Sequence, residues 1–160
     1  GLQILAYCLM TNHVHIVAVP KTEEALSIGI GRAHWSYSRI FNRRHERSGA
    51  LWQARFFSCA MDEAHLFQPV RYVELNPTRA GLVKDPWDYG WSSAGEHGGQ
   101  ARAGRILDLS PMEGAWGYPT WSEYLLGPGS DDDRDILRLN TTRGTFWDAT
   151  PVSPNPVLAT

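Results

Sequence analysis

Cysteine is scarce: Cys8 and Cys59 are the only two, each inside an apolar run, and no CxxC spacing joins them. That excludes a disulfide-stapled scaffold and a cysteine-built zinc site, and leaves both as small core residues of a reducing compartment. Long apolar runs are missing too. Nothing approaches the roughly 20 residues that a membrane helix requires, and no leader pattern opens the chain. A soluble, cytoplasmic protein with no membrane partner is expected. Net charge is nearly absent, at −2, so the sum does not point to a polyanionic ligand. Internal repeats are absent. An initiator Met is lacking as well: Gly1 leads straight into an apolar strand, as in a fragment or a truncated chain.

What is present is unevenly spread. The 160 residues give room for one domain with a core and a short appendage. Seven Trp is many for that length; they read first as core and second as stacking surfaces for bases or partners. Arg32, Arg39, Arg43, Arg44, Arg47 and Arg55 fall in a stretch whose only acid is Glu46, while the run Asp131, Asp132, Asp133 lies far away. Such a segment inside a neutral chain suits phosphate contact, with a solvated arginine face as the plainer reading.

Two β-type runs, residues 2–8 (LQILAYC) and 14–19 (VHIVAV), flank the polar turn Thr11-Asn12 and predict an antiparallel pair closed by Pro20. From Thr22 to about His45 the pattern turns helical. Thr22 is the expected N-cap, Glu23 and Glu24 fill the first turn, and Leu26, Ile30, Ala33, Tyr37 and Ile40 recur at helical spacing. Gly29 and Gly31 weaken its early part. Residues 51–61 (LWQARFFSCAM) read as a third strand. A second helix is expected from Asp62, with Leu66, Val70 and Val73 as its stripe, Pro69 marking a kink or a late start, and Asn76-Pro77 its end. Beyond Gly81 prolines, glycines and tryptophans dominate, with short elements such as residues 121–126, and the tail from Pro151 reads as unstructured. The expected division is a core over residues 1–83 and a looser accessory segment over 84–160 with a flexible tail.

His13 and His15 are two residues apart in a strand, so both imidazoles leave the same face. Such a pair can bind a divalent metal with at least one further ligand, although packing alone also explains an HxH. Tyr72 and Asn76 are four residues apart and share a helix face, with His65 and Gln68 on roughly the same side. A helix laid over the strand pair would bring the Tyr72 hydroxyl and the Asn76 amide oxygen toward the histidines. Two imidazoles, an amide oxygen and open positions for water and phosphate oxygens suit Mg²⁺ or Mn²⁺. Such a metal orients a phosphodiester and withdraws its charge, which would let a tyrosine of ordinary pKa about 10 act as nucleophile. On spacing alone, Tyr72 reads first as an ordinary half-buried core residue and second as a nucleophile.

The run Ala6 to Val19 (AYCLMTNHVHIVAV) resembles the histidine-hydrophobic-histidine strand of the REP-associated tyrosine transposases, relatives of the small insertion-sequence transposases. The run Arg71 to Val83 (RYVELNPTRAGLV) resembles that family's nucleophile helix. Phe41 to Arg44 (FNRR), Leu51 to Phe56 (LWQARF) and Trp91-Ser92-Ser93 match three further signatures, all in order over roughly residues 3–94.

By this resemblance His13 and His15 are metal ligands, Tyr72 is the nucleophile, and Asn76 stands where related transposases place a third ligand. It implies a ferredoxin-like α+β fold, an antiparallel sheet with helices packed on one face. The implied partner is single-stranded or hairpin DNA from repeated palindromes, with Arg32, Arg39, Arg43, Arg44 and Arg55 as its contacts and a homodimer as one option for assembly. Family members usually carry a further strand and helix before the position of Gly1, and the fold is expected to lack them. Thr11 stands where proline is frequent, Glu74 where histidine is frequent, and Pro69 lies within the helix. Residues 135–147 weakly resemble the family's C-terminal segment. Three activities are therefore weighed. They are a covalent endonuclease and strand transferase, a structured-DNA-binding module that does not cut, and a phosphodiesterase that uses its metal to activate water.

Overall fold

The structure, a computed structural model, describes residues 1–61, 66–100, 106–108, 120–127 and 157–159. The expected start at Asp62, His65, the acidic run at 131–133 and the segment 135–147 lie outside the described residues. The architecture is α+β: an antiparallel sheet with helices packed on it.

Strand β1 (Leu2–Leu9) and strand β2 (Val14–Pro20) form the expected antiparallel hairpin, closed where Met10 N–H donates to the His13 carbonyl at 2.9 Å. Its register sets Cys8 opposite His15 and slips between Ile4 and Ala6. The slip is a bulge: an extra residue changes the phase of the alternation, so the consecutive Leu5 and Ala6 are both fully buried. Cys8 is buried beside them, and burial, with a smaller push from Glu74, raises its thiol to about 12. It is a packing residue rather than a reactive one.

Helix α1 (Ala25–Arg44) begins later than the composition indicates. Thr22 is not its cap; the Thr22 carbonyl accepts from Ala25 N–H at 3.1 Å, so residues 22–24 form a turn ahead of the helix. Gly29 has a packing reason, since a Cβ there would stand 2.7 Å from Leu2 Cδ1. Ala25, Leu26 and Ile30 are buried, whereas Tyr37 and Ile40 are exposed. The apolar stripe is thus covered only over the first half of α1.

The expected strand over residues 51–61 is shorter. Only strand β3 (Cys59–Met61) is extended. The residues before it turn back onto α1, where Trp52 stacks on His34 at 3.9 Å between ring centroids and donates Nε1–H to the His34 carbonyl at 3.1 Å. Aromatic side chains reward a strand, but here one finds a better partner on the helix.

Helix α2 (Phe67–Arg79) has Pro69 in its first turn, which fits a late start, and it runs through Pro77 rather than stopping there. Proline lacks the N–H that would bond the Val73 carbonyl. The Asn76 side chain compensates: its Nδ2 donates to the Tyr72 carbonyl at 2.9 Å and, more distantly, to the Val73 carbonyl at 3.5 Å. Gly81, at φ 69°, then takes the left-handed conformation that ends the run.

Past α2 come a 3₁₀ turn (Pro86–Asp88) and two short helices, α3 (Ala94–His97) and α4 (Trp121–Leu126). The Trp91-Ser92-Ser93 run lies along the outer edge of β1, where Leu9 N–H donates to the Trp91 carbonyl at 2.8 Å and Ser93 N–H to the Tyr7 carbonyl at 2.9 Å. It satisfies backbone groups that an edge strand would otherwise expose. Ala94, Trp121 and Leu125 join Leu5, Val17, Met61, Val70 and Val73 in one core. The tail contains a strand, contrary to expectation: β4 (Val157–Ala159) pairs with both β2 and β3, giving the order β1-β2-β4-β3. Three successive apolar residues are enough to fill a slot offering hydrogen bonds on both sides.

Candidate active site

The strand period decides where the histidines go. His13 precedes β2 and His15 lies within it, so they leave the same side as Val17, which is buried in the core with Val70 and Val73 of α2. Packing that stripe of α2 against β2 sets Tyr72 beside His15. The rings of His15 and Tyr72 meet edge-on with centroids 5.7 Å apart, and those of His13 and His15 meet edge-on at 4.8 Å.

The two imidazoles have different surroundings. His13 is exposed, and its Nδ1 lies 2.7 Å from Asn12 Oδ1. In the neutral ring that contact has Nδ1 donating to the amide oxygen, with Nε2 as the end open to a metal. His15 is partly buried; burial first, and neighbouring His13 second, push its pKa down to about 4. It is neutral at physiological pH, as a metal-ligating imidazole has to be.

Arg79, one residue beyond the Asn76-Pro77-Thr78 run, closes the other side of Tyr72. Its Cζ lies 5.4 Å from the centre of the Tyr72 ring, and its Nη1 donates to the Tyr72 carbonyl at 3.2 Å. Neither Arg79 nor Asn12 stood out from spacing alone, because both act through a contact that depends on the tertiary fold. Asn76 shares the helix with Tyr72, with its amide nitrogen committed to carbonyls of α2, which leaves Oδ1 as the end able to serve a cation. Gln68 has its Oε1 buried without a hydrogen bond. Among the described residues, no group of three or more His, Cys, Asp or Glu is gathered in the manner of a metal cluster.

The five arginines expected to contact DNA are all exposed. Arg32, Arg39 and Arg43 recur at spacings of seven and four on α1 and share one exposed stripe with Trp35, which is 62% exposed. Arg39 Cζ sits 5.0 Å from the Trp35 ring centre. Arg44 is exposed on another side of the helix, and Arg55 is exposed in the segment after it.

The candidate site is thus a histidine pair of β2 met edge-on by a tyrosine of α2. The family comparison points the same way: residues 1–76 of the chain match the family model of IS200-like transposases. No curated protein and no solved structure matches the chain.

Proposed function

We propose that the chain is a metal-dependent single-stranded DNA endonuclease and strand transferase, acting on hairpin or palindromic DNA of the kind handled by REP-associated transposases. The observation that carries this reading is the contiguity of His13, His15 and Tyr72, three rings in edge contact. Tyr72 Oη attacks the scissile phosphorus, a P–O bond to tyrosine forms, and the P–O bond to the leaving sugar oxygen breaks. The phenol loses one proton and the departing oxygen gains one, so the bond energy is kept for rejoining.

The donor set fits Mg²⁺ or Mn²⁺: His15 is neutral, His13 has Nε2 bare, and Asn76 has Oδ1 left over. These three residues would hold the ion, which when bound orients the phosphate and draws charge from its oxygens. Asn12 sets the His13 tautomer, and Arg79 covers the Tyr72 ring and limits its swing. The stripe Arg32, Arg39 and Arg43 supplies phosphate contacts, with Arg44 and Arg55 as outlying ones.

Incubation with Mn²⁺ and a labelled single-stranded hairpin should give a band that survives boiling in detergent. Tyr72→Phe should abolish that band and leave hairpin affinity within about twofold. Cleavage that persists in Tyr72→Phe would instead assign a water-activating phosphodiesterase, and binding with no cleavage a recognition module.

A further inference from the structure

Glu74 lies two residues beyond Tyr72, so on α2 it points away from the histidines, and it is fully buried. A buried carboxylate persists only with its oxygens satisfied. Here three donors converge on it. Ser93 Oγ and His97 Nδ1 bond to Oε1, and the Trp121 indole N–H donates to Oε2 at 2.7 Å. On the other side of Tyr72, Arg71 reaches the same short helix. Its Nε donates to the Leu125 carbonyl at 3.1 Å, its Nη2 to the Gly127 carbonyl, and its guanidinium lies 5.7 Å from the Tyr124 ring centre. Phe67 meets Tyr124 edge-on at 6.2 Å.

Helix α4 thus grips α2 at both ends: its first residue holds Glu74, and its last carbonyls hold Arg71. It is itself fixed by a capping box, Thr120 Oγ1 accepting from Glu123 N–H while the Glu123 carboxylate accepts from Thr120 N–H. Two such anchors, flanking Tyr72 in sequence, oppose rotation of α2 about its axis and sliding along it. Those are the motions that would carry the phenol off His15. Packing of Val70 and Val73 alone tolerates small slips, because apolar contact is not directional.

We infer that α4 is a positioning brace for the Tyr72 helix, with Glu74, Trp121 and Arg71 as positioning residues. The inference rests on Tyr72 being the reacting group. A displacement of about 1 Å at a reacting atom can cost on the order of 100-fold in rate, so the brace bears on catalysis rather than on folding alone.

The test uses the full chain with Trp121→Phe, which keeps the ring and removes the N–H, and Glu74→Gln, which keeps the shape and removes the charge. Single-turnover adduct formation on a labelled hairpin in Mn²⁺ should slow at least tenfold in each, with the reaction amplitude and hairpin affinity unchanged. A purely structural role would lower amplitude and binding together and leave the rate constant of the folded molecules intact; that outcome overturns the proposal. Hydrogen exchange supplies an arm independent of chemistry. Amides of residues 70–76 should exchange faster in both variants while those of the β1–β2 hairpin do not. If the parent protein forms no adduct but this selective change appears, the nucleophile assignment fails and the brace stands. Unchanged exchange sinks the brace whatever the chemistry.

Discussion

His13 and His15 share a strand face yet occupy different environments, and the difference is set by single neighbours. Asn12 holds one nitrogen of His13, while burial keeps His15 uncharged. If the pair binds a divalent ion, the double change His13→Ala with His15→Ala should abolish Mn²⁺ binding, read as free Mn²⁺ by electron paramagnetic resonance. Hairpin binding in chelator should be unaltered. Asn12→Ala should be milder, weakening Mn²⁺ affinity by about tenfold, because only the orientation and tautomer of one ligand are released. Equal Mn²⁺ affinity in parent and double variant would remove the histidines from the ligand set. The strand period of two put His13 and His15 on one face and the helix period put Tyr72 and Asn76 on another, but that the two faces meet was only one packing the spacing allowed. The roles of Asn12 and Glu74 were not legible. An exposed turn asparagine and a lone helix glutamate carry no periodic signal, and Glu74 reads as a harmless departure until three donors are found around it.

At the scale of elements, the helices were easier to read than their ends. The α1 periodicity predicts a buried stripe along its whole length, but Tyr37 and Ile40 lie beyond the reach of the sheet. Amphipathic spacing reports which residues share a face; it does not report how far the partner surface extends. Helix α2 crosses Pro77, with the Asn76 amide bonded to the Tyr72 carbonyl at 2.9 Å and reaching the orphaned Val73 carbonyl only at 3.5 Å, a local arrangement invisible to rules about proline. The exposed half of α1 has a consequence for binding. With Arg32, Arg39 and Arg43 beside Trp35 on one stripe, replacing those three by Gln should reduce the magnitude of the log Kd against log salt slope by about 2 for a single-stranded ligand, at about 0.7 per lost phosphate contact. Arg44→Gln, on a different side of the helix, should change it by less than one contact's worth. Equal effects of the two variants would mean that the stripe is a solvated face and not the phosphate track.

For the whole molecule, the sheet and the core draw on both ends of the chain. Residues past 83 place Ala94, Trp121 and Leu125 in the same core as Val70 and Val73, and β4 completes the sheet between β2 and β3. Composition could not foresee this, because proline- and glycine-rich segments are read by what they interrupt and not by the single apolar residues they deliver to a distant core. The same integration bears on assembly. Tyr72 sits against His15 of its own chain, and the residues on either side of Tyr72 are tied to α4 of that chain. Exchanging α2 with a second copy would require breaking those ties and exposing the buried Glu74 carboxylate, a change that is strongly unfavourable unless its partners move with it. A site completed within one chain makes a sharp prediction. Tyr72→Phe protein, which retains the histidines, is mixed with the His13→Ala, His15→Ala double variant, which retains the tyrosine, at concentrations well above any dimer constant. In cis action neither chain holds a complete site, and the mixture forms no adduct. Recovery of adduct on the histidine-deficient chain would place its tyrosine at a partner's histidines, and would show that the site is completed by exchange between two copies.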